Sequence, residues 1–449
     1  MHFAFNGTFI LDDMHNHVPH AFTVPAGAQQ LTIHLDFEPK GPEGAEVPHE
    51  ISLSLFDPVT GRGARHNNAD QTIVITADSA SPGYTPGPLQ PGTWTVFIDT
   101  HRIMPPGDIR YTLDVDIAMD APEFQRPQFT PGSTAARGPG WYRGDLHGHT
   151  LHSDGRWDVA EFVADARRRG LDFVFLTDHN TVSSVPEVRS YASDALLTLG
   201  GIELTTFYGH CLALGAQRWH EWRVRDGHTM TAIAREVLDA GAFYVIAHPT
   251  SIGYPRCSGC PWHYEEMMPG IAPAVEVWNG DWAGESQNEQ AVQLYYQWLN
   301  QGHQLVATAG SDIHGPLSAA ERPGYNVVYA ADLSEAAILD ALRAGHLYVS
   351  SGPKLAFSAT SPRGETAMMG DVLVADRADL HARWEASDPA YAVRLVAGGV
   401  VVDSFTGGAH GEKTWQVTRD TMPAWYTVEI RAADGQLHAL TNPIFLQGS

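Results

Sequence analysis

The chain has 449 residues, of which 43% are hydrophobic and 18% are charged, so we expect a globular protein with more than one domain. Its formal net charge of -24 at pH 7 opposes binding to nucleic-acid backbones and to anionic membranes. No apolar run reaches about 18 residues, the length of a transmembrane helix, and the first residues lack the basic and apolar regions of a signal peptide. We therefore expect a cytoplasmic protein that acts on a small molecule, with no nucleic-acid or membrane partner.

Residues 1–119 are predicted to form an N-terminal β-sandwich. Segments such as 31–37 and 94–98 alternate apolar and polar side chains, and turns with glycine and proline separate them. His15, His17 and His20 suggest a metal site, but no acid or cysteine can be placed beside them, and we favour a solvated turn. The proline- and glycine-rich residues 120–140 are predicted to be a linker.

The segment 143–155 places His147, His149 and Asp154 close together. If residues 143–149 form a strand, His147 and His149 lie two residues apart and point to the same face. Two imidazoles with a nearby carboxylate are suitable ligands for a divalent metal. A histidine-rich surface loop is the alternative interpretation of this segment taken alone.

Four further segments share this design, because each is an apolar run that ends in, or is followed by, residues able to bind a metal. These residues are Asp178 and His179, then Glu203 and His210, then His248, and finally Asp312 and His314. The short apolar runs are typical of buried parallel strands. Helical patterns lie between them at 158–169, 229–240, 289–300 and 334–344. This alternation predicts an α/β barrel whose chemistry lies at the carboxyl ends of its strands, and it favours a metal site.

Residues 354–449 are again rich in predicted strands, the clearest being 391–397 and 425–431. This region resembles a small immunoglobulin-like β-sandwich. The predicted fold is therefore an α/β barrel flanked by two all-β sandwich domains.

Five separated motifs of residues 141–353 resemble, in order, those of the PHP (polymerase and histidinol phosphatase) superfamily. His147 and His149 match the family's HxH pair, Asp154 the acid of HSDG, and His179 the histidine of TDH. Glu203 matches a metal-bridging glutamate, His210 and His248 match two later histidines, and Asp312 with His314 matches the closing SDxH. The resemblance implies a distorted seven-stranded α/β barrel and a metal-dependent hydrolase. The flanking sequences are most similar to those of the carbaryl-hydrolase branch.

The family pattern implies two or three divalent transition-metal ions. One would be held by His147, His149, Glu203 and Asp312, a second by Asp154, His179 and His314, and a third by Glu203, His210 and His248. Nitrogen and carboxylate ligands favour Mn, Zn or Fe over Mg or Ca. The nucleophile would be a metal-bound hydroxide, and Asp178 would orient its neighbours rather than bind a metal.

Other candidates lie in loops near these motifs. Arg256 and Arg322 are placed either to hold a phosphate or carboxylate or to lie solvated on the surface. The aromatic residues Tyr254, Trp262, Trp278 and Trp282 either line the pocket or pack between domains.

The three cysteines are too few for a disulfide framework. Cys257 and Cys260 allow a structural zinc, a local disulfide or an ordinary tight loop, and we favour the tight loop. Cys211 is expected to be a small buried residue.

Three functions are compatible with the motifs. Hydrolysis of phosphate mono- or diesters is favoured because it is the commonest chemistry in the PHP superfamily. Hydrolysis of carbamates or aryl esters is the alternative that the branch resemblance suggests. A non-catalytic scaffold is the third, and the complete set of nine ligand-type residues argues against it.

Overall fold

The computed structural model describes the chain except for residues 43, 45, 46, 67–70, 121–126, 319, 387, 419–423 and 449. The predicted linker at 120–140 therefore lies partly outside the described residues. Strands outnumber helices, and the fold is mixed α/β. In the part of the chain that is described, no helix has the length and apolar character needed to span a membrane.

The N-terminal region consists of two facing antiparallel sheets. Its strands are β1 (His2–Phe9), β2 (Asn16–Val24), β3 (Gln30–Glu38), β4 (Glu50–Phe56), β5 (Gly61–Arg65), β6 (Thr72–Thr76), β7 (Gly92–Arg102) and β8 (Ile109–Ala118). One sheet has the order β1-β8-β3-β6 and the other β2-β7-β4-β5. Apolar side chains from both sheets, such as Ile33 and Trp94, form one core. The alternation of buried and exposed residues along β3 and β8 is the pattern expected for strands with one face in a core.

The solvated turn predicted for the first histidines is wrong. His17 and His20 belong to β2, and His15 directly precedes it. The ring of His17 stacks on Phe207 of the central region at 4.6 Å, and its Nδ1 lies 2.6 Å from Asp99. His20 is buried and its Nε2 lies 3.1 Å from the hydroxyl of Tyr111. These histidines are part of the packing within and beside the N-terminal sheets.

The central region alternates strands and helices over much of its length. Its elements are β9 (Gly140–Asp145), α1 (Val159–Arg168), β10 (Phe173–Leu176), α2 (Val185–Ser190), β11 (Leu197–Thr206), β12 (Gly209–Leu214), α3 (Met230–Asp239), β13 (Phe243–Ile246), β14 (Ala274–Asn279), α4 (Asn288–Asn300), β15 (Val306–Gly310), β16 (Tyr325–Ala330), α5 (Glu335–Ala344) and β17 (Leu347–Ser350). Short 3-10 helices lie at Leu11–Asp13 and Glu265–Met267.

The central sheet is mixed rather than wholly parallel. β9, β10 and β11 pair in parallel, and so do β13, β14 and β15. β12 is antiparallel to both β11 and β13. Only Phe207 and Tyr208 join β11 to β12, and such a short connection can link antiparallel but not parallel neighbours. The runs predicted to be parallel strands therefore do share one direction, and β12, the stretch that follows them at Gly209, lies antiparallel between β11 and β13.

The structure does not confirm a seven-stranded barrel. Within the described residues the ladder runs from β15 through β14, β13, β12, β11 and β10 to β9, and then continues to β16 and β17. Side-chain hydrogen bonds connect β15, at one end of this path, to β16 and β9, which lie toward its other end. Asn326 of β16 accepts from the backbone N–H of Ala309 at 3.0 Å and donates to its carbonyl at 2.6 Å. The backbone N–H of Ser311 donates to Asp145 at 2.9 Å. These bonds bring the end of β15 beside the end of β9.

The C-terminal region continues the central sheet. Its strands are β18 (Lys354–Thr360), β19 (Thr366–Met368), β20 (Val372–Val374), β21 (Arg377–Glu385), β22 (Ala392–Ala397), β23 (Val400–Thr406), β24 (His410–Thr418), β25 (Ala424–Arg431), β26 (Leu437–Thr441) and β27 (Ile444–Gln447). β17 pairs with β26, which leads on to β25, β22 and β23. A separate sheet has the order β19-β18-β21-β24. Asn442 accepts from the backbone N–H of Ala307 in β15 at 2.8 Å, so the C-terminal region also supports β15.

Candidate metal centre

The nine predicted ligands come together at one edge of the central sheet. Most of them follow the carboxyl end of a strand, whereas Glu203 lies in β11 and His210 lies in β12. Six of the side chains are buried, and Asp154, Asp312 and His314 are partly exposed. His248 and Asp312 have positive φ angles of 27° and 51°. Left-handed backbone at non-glycine residues is uncommon and is concentrated at functional sites.

The first cluster contains His147, His149, Glu203 and Asp312. Nε2 of His147 lies 3.1 Å from Oε2 of Glu203 and 3.4 Å from Oδ1 of Asp312. Nε2 of His149 lies 2.9 Å from the same Asp312 oxygen and 3.3 Å from the same Glu203 oxygen. Two imidazole nitrogens and two carboxylate oxygens therefore surround one point.

The second cluster contains His149, Asp154, His179 and His314. Oδ1 of Asp154 lies 3.2 Å from Nε2 of His314 and 3.5 Å from Nε2 of His179. The ring of His149 stacks against those of His179 and His314, with centroid distances of 4.2 and 4.3 Å. His149 thus belongs to both clusters and places them side by side.

The third cluster is built on the other oxygen of Glu203. Its Oε1 lies 3.0 Å from Nδ1 of His210 and 3.0 Å from Nε2 of His248. The same carboxylate therefore faces the first cluster with Oε2 and the third cluster with Oε1. This is the arrangement that a carboxylate needs in order to bridge two cations.

The donor atoms fit a divalent transition metal. Ligand atoms bound to one cation at about 2.1 Å lie roughly 3.0–3.4 Å apart in octahedral or tetrahedral geometry. The separations in the first cluster are 2.9–3.4 Å. Among the described residues, Nε2 of His147 and Oε2 of Glu203, which both face this cluster, are buried and have no hydrogen-bond partner of suitable geometry. Buried polar atoms without a partner are costly, and a bound cation would satisfy them.

The electrostatics of the clusters also favour positive charge. Burial lowers the pKa of His149, but the carboxylates of Asp312 and Glu203 outweigh it and raise that pKa to about 10. Burial raises the pKa of Glu203, but the neighbouring His179 and His147 outweigh it and hold that pKa well below its usual range. Both shifts favour the ionised carboxylate of Glu203 with positive charge on the groups around it.

Sequence reasoning missed Glu276, which supports the first and third clusters. Its Oε1 lies 3.1 Å from Nδ1 of His147, and its Oε2 accepts from the backbone N–H of His248 at 3.0 Å. Its side chain is buried in the middle of β14. A Cβ on Gly310 of β15 would lie 2.1 Å from Oε1 of Glu276 and 2.4 Å from Cβ of His147, so only glycine allows β15 to approach this pair. A carboxylate on the outer nitrogen of a metal-binding histidine fixes its ring and its tautomer.

Replacing Glu276 with glutamine is expected to weaken metal binding by about 10- to 100-fold, the usual cost of losing such an orienting carboxylate. Competition between the protein and a chromophoric chelator for Zn²⁺ would measure the change. Glu335→Gln is a matched control, because Glu335 pairs with Arg189 at the surface of α5 and does not touch the clusters. Unchanged zinc affinity in Glu276→Gln would contradict the orienting role.

Asp178 lies behind the loop that carries two of the predicted ligands. Its Oδ1 accepts from the backbone N–H of Thr150 at 2.7 Å and from the hydroxyl of Ser153 at 2.8 Å. These bonds hold the turn between His149 and Asp154. The contacts are those of an orienting group, the role expected for Asp178.

The predicted arginines contact residues that line a cavity of about 450 Å³, and this cavity reaches Asp312 and His314. Arg256 forms an exposed ion pair with Glu285, which lines this cavity. The backbone N–H of Arg322 donates to Asp281, and its guanidinium donates to the carbonyl of Glu321. Sequence reasoning overlooked Arg156, which directly follows the HSDG motif and lines the cavity beside His314.

The aromatic candidates divide between core and surface. Trp262 and Trp278 are buried in the central core, and their indole N–H groups donate to the carbonyls of Met267 and Gly280. Trp282 packs edge-on against Trp278 at 4.9 Å. Tyr254 is exposed. Packing therefore accounts for the three tryptophans.

Four side chains of the N-terminal sandwich form a buried cluster beside the metal-ligand clusters. The ring of His66 lies 4.7 Å from that of His179, and its Nε2 lies 2.9 Å from Oε1 of Glu50. Oε2 of Glu50 pairs with Arg102 at 2.7 Å, and the ring of His101 packs edge-on against His66 at 4.5 Å. All four side chains are buried. No local pattern in the sequence connects these residues to the motifs of the central region.

The chain matches no protein-family profile and no curated protein. It is similar to a solved two-domain protein from Bacteroides vulgatus ATCC 8482 that contains a predicted PHP-like metal-dependent phosphoesterase, with 17% identity and a TM-score of 0.39 over 71% of this chain and 100% of that one. It is also similar to an amidohydrolase from Chromobacterium violaceum with bound sulfate and no metal, with 17% identity and a TM-score of 0.27 over 38% of this chain and 88% of that one. These TM-scores are too low to carry an argument about this chain.

Proposed function

We propose that the protein is a metal-dependent hydrolase that binds two or three divalent transition-metal ions and acts on phosphate mono- or diesters. The observation that supports it most directly is Glu203, whose two carboxylate oxygens face different histidine clusters at 3.0–3.3 Å. A carboxylate shared in this way can hold two cations a short distance apart, as in enzymes that hydrolyse phosphate esters.

Different residues of such a site would bind the ions, orient the ligands and exclude water. His147, His149, Glu203 and Asp312 would hold one ion, Asp154, His179 and His314 a second, and Glu203, His210 and His248 a third. When bound, divalent metals lower the pKa of coordinated water and withdraw charge from a substrate oxygen. Glu276 and Asp178 would keep the ligands oriented, and burial of the clusters would exclude bulk water.

The chemistry of the cavity favours a polar substrate. The described residues that line it include the partly exposed Asp312 and His314, the guanidinium of Arg156 and the amide of Asn279, and they include no aromatic side chain. An arginine beside the cluster can pair with a phosphate oxygen in two hydrogen bonds. A naphthyl carbamate would need an apolar surface for its rings, and the predicted aromatic residues do not supply one here.

A panel of four substrates tests the proposal. p-Nitrophenyl phosphate, bis(p-nitrophenyl) phosphate, p-nitrophenyl acetate and 1-naphthyl N-methylcarbamate would be assayed after reconstitution with Mn²⁺, Zn²⁺ or Fe²⁺. We expect kcat/KM for one of the phosphates to exceed that for the other two classes by at least about tenfold, or 1.4 kcal/mol in transition-state binding.

Asp312→Asn serves as the control that assigns turnover to the clusters, because Asp312 contacts both His147 and His149. A preference for the carbamate or the acetate would replace the phosphoesterase proposal with the ester alternative. Loaded protein that turns over none of the four would favour the non-catalytic scaffold.

A further inference from the structure

Cys257, Ser258, Gly259 and Cys260 form a short loop that is closed by a disulfide between the two cysteines, and we call it the disulfide loop. The uncrosslinked tight loop that we favoured from the sequence is therefore wrong. Cys211, in contrast, is buried and free as expected, and burial raises the pKa of its thiol to about 12.

The disulfide loop holds the two histidines of the third cluster by their outer nitrogens. Nε2 of His210 lies 3.1 Å from the carbonyl oxygen of Ser258, and Nδ1 of His248 lies 3.3 Å from that of Cys260. A carbonyl oxygen only accepts, so each of these nitrogens carries the proton. In the metal-bound state, Nδ1 of His210 and Nε2 of His248 would then present their lone pairs to the cation, and both atoms lie 3.0 Å from Oε1 of Glu203. Lone pairs in this position are what a metal requires.

The disulfide loop fits closely against its surroundings. Gly259 has a φ of 75°, and a Cβ there would lie 2.1 Å from the carbonyl oxygen of Thr206 in β11. On the other side, the hydroxyl of Ser258 donates to Glu50 of the N-terminal sandwich at 3.4 Å. The carbonyls of the loop can reach the two histidines only while its backbone keeps this compact path.

We propose that the disulfide loop positions His210 and His248, and that metal binding at the third cluster is therefore redox-dependent. This inference rests on the proposed function, because it assumes that the third cluster binds a metal. The disulfide limits the conformations of a loop whose two carbonyls orient two ligands. Without the cross-link the loop samples other conformations, and both histidines lose their fixed tautomer and ring orientation.

The redox step can be written in full for a dithiol reductant. One thiolate of the reductant attacks a sulfur of the disulfide, the bond between Cys257 and Cys260 breaks, and the second thiol then displaces the protein sulfur. The reductant loses two electrons and two protons and becomes a disulfide. Cys257 and Cys260 gain them and become thiols.

The test compares metal binding by oxidised and reduced full-length protein. Metal-free protein would be titrated with Co²⁺ against a competing chelator, before and after reduction with a trialkylphosphine that is removed before the titration. We expect the oxidised protein to bind one more ion per chain, or to bind its weakest ion about 10- to 100-fold more tightly, which is the range for loss of orienting partners. Circular dichroism would confirm that both forms are folded.

Two variants make the comparison specific. Cys257→Ala/Cys260→Ala removes the cross-link without leaving a thiol, and it should match the reduced protein whether or not reductant is present. Cys211→Ala keeps the disulfide loop and should respond to reductant as the wild-type chain does.

The outcomes separate this inference from the proposed function. Protein that binds no Co²⁺ in any form would overturn the proposed function itself. Equal stoichiometry and affinity in the oxidised, reduced and double-variant proteins would overturn the redox inference and leave the hydrolase proposal intact. Tighter binding by the reduced protein, with a thiolate-to-Co²⁺ absorption band, would also overturn it, because Cys260 would then be a ligand instead of part of a positioning loop.

Discussion

Replacing Glu203 with glutamine is expected to lower the turnover of the best substrate by at least about 100-fold, the scale on which one strong electrostatic group acts in catalysis. The change keeps the size of the side chain and removes a negative charge that is shared between clusters. His147 and His248 contact opposite oxygens of this carboxylate, so cations in the first and third clusters would repel each other with less compensation. Steady-state kinetics at saturating metal would measure the loss.

Elemental analysis of the same samples would show whether Glu203→Gln also binds fewer ions. Glu335→Gln, whose carboxylate pairs with Arg189 and does not touch the clusters, should keep wild-type kinetics. If Glu203→Gln turned over normally when loaded with metal, the bridging role of Glu203 would have to be abandoned.

Removal of the metals by a chelator is expected to abolish turnover and to leave the protein folded. The described residues include several large apolar cores, among them one in the N-terminal sandwich and two in the central region, and none of them contains a predicted ligand. The carboxylates of the site would also keep partners, because those carboxylates raise the pKa of His147 and His149, which then carry protons in place of metals. The protein thus differs from a zinc finger, which unfolds without its ion.

Activity, far-UV circular dichroism and metal content, recorded during dialysis against chelator, would test this expectation. Addition of Mn²⁺, Zn²⁺ or Fe²⁺ should then restore turnover. Loss of the dichroism signal together with the metal would show that the ions are needed for folding, and turnover that persists at less than one ion per chain would remove the basis of the metal mechanism.

The helices of the central region were predicted well because their signals are local. Asp158, Thr229 and Ser334 cap α1, α3 and α5 through their side chains, and apolar residues with helical spacing follow each cap. The helix α2 has six residues and was not predicted, since so short a segment shows little periodicity. The antiparallel direction of β12 was not predicted, for a different reason. Its apolar residues do not distinguish a parallel from an antiparallel neighbour, and the two-residue connection at Phe207 and Tyr208 carries no glycine to mark it as a hairpin.

The convergence of the nine ligand-type residues could be predicted because each marks the end of an apolar run or a neighbouring strand. Glu276 could not, because it lies inside a strand and its burial depends on which face meets His147. The sandwich residues Glu50 and His66 could not be predicted from the sequence for a related reason. Their place beside His179 results from the packing of two regions that are far apart in sequence, and no spacing in the chain encodes that contact.

The pairing of β17 with β26 links the central region to the C-terminal region and limits where the chain can be cut. Tyr348, Val349 and Ser350 are in register with Thr441, Leu440 and Ala439, so the strand that ends the central region is an interior strand of a longer sheet. A chain cut at Pro353 would leave the N–H and C=O groups of β17 without partners along one side. Such an open edge recruits strands from other molecules and promotes aggregation. The central region recognised in the sequence is therefore not a unit that can be excised, and the protein is best regarded as one structural whole.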